Sequence, residues 1–349
     1  MPNFSNMVKN NNKILVTGAS GFIGRKLVEH LVKTTNKDKI VCLVHKNSDS
    51  VLEKTGREAI KKYGIDPTPV DLLTGWGLDK IPKSPKIIFH LAASTDMYAK
   101  DHSINDVGTK NLLDAIGPLN KDSHFIFASS IAIIDTRLDY SMPANEATKV
   151  PERPCTEYGR KKLLTEKYII KKAKEHGFRL SIVRITCTYG KGSRRGGLFD
   201  GVHNMVLKGS ILMRLNWPGK MTSIYVGDLA DFFILVSNRR PKAGSYELYI
   251  PAVEDLTLAD ISRTVHEAYG LKYKPINLPA WFWRTCSFFA RKKKPLEFLL
   301  PHYIYITFWE ACVLVNNEYW DRSIRLHKVF PNFKPMKFKE YYQKIVKNS

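Results

Sequence analysis

The chain has 349 residues, 44% hydrophobic and 25% charged, which suits one large or two modest globular domains and excludes wholesale disorder. Its 55 Lys and Arg against 33 Asp and Glu leave a net charge of +22. That excess favours anionic partners (a phosphate-bearing cofactor, nucleic acid or an anionic membrane surface), or else is only a solvated basic face.

Residues 1–12 read as a polar tail without the apolar stretch of a signal peptide. Lys13–Thr17 is a short apolar run ending at glycines, as a buried parallel strand would be. Ile23, Leu27, Val28 and Leu31 then recur at helical spacing. Ile40–Val44 reads as a second strand, Pro69–Asp71 as the end of a third and Ile87–His90 as a fourth. Ser103–Ile116 reads as a helix, Phe125–Ser129 as a fifth strand, Thr156 to about Lys174 as a long helix and Leu180–Ile185 as a sixth strand. Such alternation builds a doubly wound parallel α/β sheet. Lys191–Gly197 reads as a loop, and Ser223–Asp231 as a short strand leading into a helix. The expected domains are a dinucleotide-binding domain over 13–190, with 222–249 returning to it, and a smaller substrate-binding lobe of 191–221 and 250–349.

Gly18, Gly21 and Gly24 follow the first strand at G-x-x-G-x-x-G spacing, in the turn Thr17-Gly18-Ala19-Ser20-Gly21-Phe22-Ile23-Gly24. Glycines there allow a tight turn and let a pyrophosphate reach backbone N–H groups at a helix N-terminus. A plain turn-and-cap role would fit the triplet alone; its strand–turn–helix setting favours the cofactor reading. Where the second strand ends, such sites read the adenosine ribose, an acid accepting from the 2′-hydroxyl of NAD. This chain has His45 and Lys46 there, two potential cations, which favours the 2′-phosphate of NADP(H). NAD(H) stays open if the acid lies elsewhere, for example at Asp49.

These motifs resemble those of the extended short-chain dehydrogenase/reductases of the NAD-dependent epimerase/dehydratase superfamily. Thr17–Gly24 resembles the family's TGxxGFxG opening, and Asp71-Leu72 its adenine-contacting acid. His90-Leu91-Ala92-Ala93 resembles the loop under the cofactor, and Asn105–Leu113 the N-V-x-G-T-x-N-L-L helix. Ser129-Ser130 resembles the active-site serine segment, Tyr158-x-x-x-Lys162 the catalytic pair, and Arg184–Gly190 the R-P-x-x-x-Y-G segment. The resemblance is dense over about 13–235 and loose beyond. It implies a Rossmann-type fold, NAD(P) as cofactor, and catalytic roles for Ser130, Tyr158, Lys162 and Asn105, although Asn105 would equally serve as a helix cap. Family members often dimerise through the helix that carries the catalytic Tyr, which makes a homodimer an expectation here. Ile185 in place of the usual Pro, Met221 in place of an Arg, and no Asp-Glu pair after Ser130 tilt the resemblance toward the dihydroflavonol reductase and 3β-hydroxysteroid dehydrogenase branch.

The chemistry needs a proton donor at the reacting oxygen. A free phenol titrates near 10, too high for an efficient base at neutrality. Lys162, one helical turn from Tyr158, is expected to favour the phenolate by Coulomb attraction, and by resemblance to hold the ribose hydroxyls. Ser130 would orient the reacting oxygen.

Leu278–Lys294 joins five large aromatics to the basic run Arg291-Lys-Lys-Lys294, and 296–309 adds further aromatics. The segment fits a substrate lid, a subunit contact, or a helix lying on an anionic membrane. No run reaches the roughly 18 apolar residues of a membrane span. Five scattered cysteines, Cys42, Cys155, Cys187, Cys286 and Cys312, argue for a reducing compartment without disulfides or a metal site. A cytoplasmic oxidoreductase, peripheral at a membrane or free, interconverting a ketone and a secondary alcohol on a hydrophobic small molecule and not acting on nucleic acid, is the expectation; an NAD-retaining sugar-nucleotide epimerase and a non-catalytic dinucleotide-binding regulatory protein are the alternatives.

Overall fold

A computed structural model describes residues 12–47, 50–96, 98–134, 145–154, 156–193, 197–291, 299–301, 304, 315 and 325–347, with backbone alone at 289–291 and 345–347. Counting described residues, the chain forms two compact units. The first comprises Met1–Ile133, Thr156–Ile185 and Leu229–Tyr249, and the second Ile134–Cys155, Thr186–Asp228 and Ile250–Ser349.

In the first unit, β1 (Ile14–Thr17), β2 (Ile40–His45), β3 (Thr68–Val70), β4 (Ile87–His90), β5 (His124–Ser130), β6 (Arg179–Ile185) and β9 (Tyr246–Tyr249) form one sheet in the order β3-β2-β1-β4-β5-β6-β9. Every pair is parallel. The central strands are buried along their length, which is why they read as unbroken apolar runs. The helices α1 (Phe22–Thr34), α2 (Val51–Lys62), α3 (Ser103–Ile116), α4 (Glu157–His176) and α6 (Val226–Arg239) connect them. The strand order turns back at β1 and β4, so the carboxyl ends of these two strands open the crevice where doubly wound sheets take their ligands. The core under this crevice includes Leu15, Ile88, Leu112, Phe125, Phe127 and Ile182.

α4 begins where Thr156 Oγ1 accepts from the Gly159 N–H at 3.1 Å and ends at Gly177, whose φ of 76° terminates it in the left-handed conformation. Tyr158 and Lys162 share its buried face with Leu163 and Glu166. The residue types at the ends, not the apolar pattern alone, fix where this helix starts and stops.

The second unit has its own sheet of β7 (Cys187–Tyr189), β8 (Lys220–Tyr225) and β10 (Glu254–Thr257), in the order β10-β8-β7. Around it lie α5 (Leu198–Leu207), α7 (Leu258–Ala268), α8 (Ala280–Arg291) and a closing helix Phe338–Lys347. Its core is aromatic: Tyr189 meets Phe338 edge-on at 5.0 Å and Phe199 at 5.4 Å. Residues 186–190 and 222–228 group with this unit, whereas the expected boundaries assigned them to the nucleotide-binding domain. The cause is pairing: β8 bonds β7 and β10, and only β9 extends the larger sheet.

Candidate active site

All described candidate residues fall in the first unit. Gly18 leaves β1 at φ +64°, and a Cβ there would meet the Ala92 backbone at 2.9 Å. Both the backbone angle and the close approach of the β4 loop therefore demand glycine. Gly21 caps α1 with no side chain, its N–H donates to the Gly18 carbonyl at 3.1 Å, and the first turn of the helix holds no acid. The N–H groups of Phe22, Ile23 and Gly24 begin the helix, where the dipole favours an anion. The cradle fits a dinucleotide pyrophosphate.

Beneath it runs a buried hydrogen-bond chain. Thr17 Oγ1 accepts from the N–H groups of Leu91 (3.1 Å) and Ala92 (3.0 Å). Its own hydrogen is then left for His90 Nδ1 at 2.8 Å, so His90 Nε2 carries the ring proton and donates to Thr109 Oγ1 at 2.7 Å. Thr109 passes on to the Asn105 carbonyl at 2.7 Å. Burial, with some help from the Lys162 charge, pulls His90 down to about 3, so the ring is neutral. The chain fixes the β4 loop, with Leu91, Ala92 and Ala93 half-buried, against the glycine turn.

Asn105 lies in the first turn of α3, but the residue preceding the helix is His102, and Asn105 does not cap it. Its side chain clamps Ser94: Oδ1 accepts from the Ser94 N–H and Nδ2 donates to the Ser94 carbonyl, each at 3.1 Å. Both ends of the amide are spent on backbone, which makes Asn105 a brace for the loop.

At the end of β2, His45 is exposed and its Nδ1 accepts from the Asn47 N–H at 3.2 Å. Lys46 lies 3.3 Å from the Asp71 carboxylate and over the Trp76 ring at 5.1 Å. Burial pushes the Asp71 carboxyl up, but hydrogen bonds from Thr74, Lys46 and Leu73 outweigh it and bring it down to about 2. Leu72 points into the core, leaving its backbone to face outward to Asn111. Asp49 lies outside the described residues. A carboxylate missed from the sequence is Glu53 of α2, which accepts from the Ser20 hydroxyl in the glycine turn. Gly56, one turn on, lets α2 approach so closely that a Cβ would sit 1.9 Å from the Ser20 carbonyl.

Ser130 ends β5, where its oxygen accepts from the Ala132 N–H at 3.2 Å and its hydroxyl donates to the Tyr158 phenol. Burial pushes Tyr158 up to about 12, only partly offset by the Ser130 bond. Lys162 Nζ donates to the Ala128 carbonyl at 2.8 Å and stands over the Phe127 ring, 6.0 Å from the Tyr158 ring centre. The expected lowering of Tyr158 by Lys162 is thus absent. Burial also brings Lys162 down to about 7, against the opposing pull of Glu166, so the lysine exchanges its proton near neutral pH beside the phenol. Glu166 is itself bound on two points by Arg184, at 2.8 and 3.1 Å, a buried pair that the sequence did not reveal. His102, also missed, is buried with its ring 5.8 Å from that of Tyr158. Of the cysteines, Cys42, Cys187 and Cys286 are not joined in disulfides, and Cys155 and Cys312 lie outside the described residues.

A glycine cradle at the sheet's turning point and a Ser–Tyr–Lys group on β5 and α4 coincide with a sequence match to the NAD dependent epimerase/dehydratase family over residues 14–249. The chain belongs to that family. It is an enzyme of the extended short-chain dehydrogenase/reductase type. Among its relatives, a UDP-glucose 4-epimerase of Mycoplasma genitalium is 28% identical over 46% of this chain, the match spanning only about half (48%) of that protein. A 3-beta-hydroxysteroid dehydrogenase of Mycolicibacterium neoaurum is 23% identical, covering 76% of this chain and 72% of the relative. In fold, the chain superimposes on the UDP-glucuronic acid 4-epimerase of Bacillus cereus, solved with UDP-glucuronic acid and NAD. The TM-score is 0.71 at 18% identity, over 96% of this chain and 99% of the other.

Proposed function

We propose that the protein is an NADP(H)-linked oxidoreductase that interconverts a ketone and a secondary alcohol on a hydrophobic small molecule. The observation that carries this reading is the gathering of Ser130, at the end of β5, with Tyr158 and Lys162, on the buried face of α4. A bound nicotinamide dinucleotide would supply the hydride; Gly18, Ser20, Gly21, Phe22, Ile23 and Gly24 would hold its phosphates. With Tyr158 held at about 12, the phenol carries its proton at neutral pH, the state required to protonate a carbonyl oxygen during reduction. Ser130 shares that oxygen and fixes its approach. Lys162 supplies positive charge behind the phenol in its protonated form. His45 and Lys46 support the 2′-phosphate, and Ile185 and Met221, with the steroid dehydrogenase relative, support a hydrophobic substrate.

A second reading, an NAD-retaining sugar-nucleotide epimerase, is favoured by Glu53 at the glycine turn and by the epimerase relatives. The deciding experiment is turnover of lipophilic ketones with NADPH by wild type and Tyr158→Phe. Wild-type oxidation of NADPH, lost in the variant while NADPH affinity stays within a few-fold, supports the proposal. No ketone turnover, together with NAD carried through purification and interconversion of UDP-sugars, replaces it with the epimerase. Activity retained by Tyr158→Phe removes the acid role.

A further inference from the structure

The second unit contains two stretches devoid of carboxylates. Residues 201–227 and 268–296 hold no Asp or Glu, while carrying Lys208, Arg214, Lys220, Lys272, Lys274 and Arg284 as well as the run Arg291–Lys294. Glu267, which precedes the second stretch, is already paired with Lys339 at 2.8 Å. The fold lays these distant stretches side by side. Asn216 N–H donates to the Ile276 carbonyl at 3.2 Å, and the Ile276 N–H to the Arg214 carbonyl at 2.7 Å. The Asn216 side chain then holds the start of α8, accepting from Leu278 N–H at 2.8 Å and from Trp283 Nε1 at 3.2 Å. Trp283 packs on Trp217 with ring centres 5.0 Å apart.

This arrangement anchors one face of α8 and leaves the other outside. Trp283 and Ser287 are buried, while Trp281 is 68% exposed and Phe288, two turns on along the same side, 53%. Arg284 and Thr285 lie between them, both exposed. On the partner stretch Leu207, Ile211 and Leu212 are exposed too, Ile211 to 61%. Large apolar side chains standing out singly are ordinary, but a cluster of them on two adjoining stretches that carry cations and no Asp or Glu of their own marks a docking face. Aromatics backed by lysines and arginines match the chemistry of a bilayer interface, rings among the upper acyl chains and cations at anionic headgroups. Among the described residues no helix is long and apolar enough to cross a membrane, so the contact would be a surface one.

We infer that the face formed by α8 and residues 207–216 docks the protein on anionic lipid bilayers. The inference uses only the second unit and stands apart from the redox reading above. Its test is flotation of the full chain with vesicles of phosphatidylcholine alone and of phosphatidylcholine with phosphatidylserine. The expected result is recovery about tenfold greater on the anionic vesicles, falling to background in high salt as headgroup attraction is screened. Trp281→Ser with Phe288→Ser, and separately Lys272→Glu with Lys274→Glu, should each abolish the recovery while thermal unfolding stays as in wild type, since all four side chains are exposed. Absence of recovery on either vesicle, equal recovery on both, or undiminished recovery of the two variants overturns the inference. A lipid-free dimer dispersed by Trp281→Ser with Phe288→Ser would overturn it in favour of a second copy of the chain.

Discussion

The Lys46 ammonium lies 3.3 Å from the Asp71 carboxylate, so the cation at the end of β2 comes with its own counter-ion. A 2′-phosphate placed there would share Lys46 with Asp71, a compromise between binding the anion and keeping the 71–75 turn. Charge-assisted hydrogen bonds are worth about 1.5 kcal/mol or more, or roughly tenfold in affinity. Lys46→Ala should therefore weaken NADPH binding about tenfold and NADH binding less than about twofold by calorimetry. Equal losses for both cofactors would show that Lys46 serves only the fold.

Glu53 tests the opposite preference. Its carboxylate accepts from Ser20 in the turn that would cradle the pyrophosphate, and it would repel a 2′-phosphate nearby. Glu53→Gln keeps the hydrogen bond and removes the charge. The ratio of NADPH to NADH affinity should rise by about twofold to fivefold, given the roughly 0.5–1 kcal/mol of one partly exposed charge. A fall in that ratio would mean Glu53 is needed to organise the turn for NADPH.

Much of this was legible in the chain because the larger sheet is parallel and buried on both faces. Ile14–Thr17, Ile87–His90 and His124–Ser130 are apolar runs that end at functional residues, and Thr156 and Gly177 bracket α4 by their own conformational preferences. Glu53 and Gly56 were not legible, since their role appears only when α2 folds back on Ser20, more than thirty positions earlier. The second sheet was hidden for another reason. β10 reads Glu-Asp-Leu-Thr and β7 Cys-Thr-Tyr, too short and too polar to stand out, and they find partners only through β8. The direction of the Lys162 side chain was beyond reach too: spacing places it near Tyr158, but only packing points its ammonium at the Ala128 carbonyl.

Two buried histidines make stability depend on pH. Burial lowers His90 to about 3 and His124 to about 4, both from 6.5. Between those values and 6.5 the unfolded chain binds more protons than the folded one, so stability rises with pH. The contribution is fully present above pH 6.5 and is lost as acid is added, at up to about 1.4 kcal/mol per pH unit for each ring. Urea unfolding at a series of pH values should show the midpoint falling below pH 6.5. His124→Asn, whose amide can keep the contact that Nδ1 makes with the Ser237 carbonyl, should remove about half of that slope. An unchanged slope in the variant would mean that other groups carry the acid sensitivity.

The pair Glu166–Arg184 links stability to the candidate catalytic lysine. Both side chains are buried, and Glu166 lies one turn beyond Lys162, whose proton affinity its charge raises. Removing one partner leaves the other charge buried and uncompensated, a loss of about 3–5 kcal/mol. Glu166→Gln should thus unfold at markedly lower urea. Its effect on activity should be separable: with the neighbouring negative charge gone, Lys162 falls below its present value of about 7, and the alkaline limit of turnover moves to lower pH. The double variant Glu166→Leu with Arg184→Met removes both charges at once and should recover most of the stability. It should not recover the pH profile. A profile identical to wild type in both variants would leave the pair as a brace between α4 and β6, with no influence on the lysine.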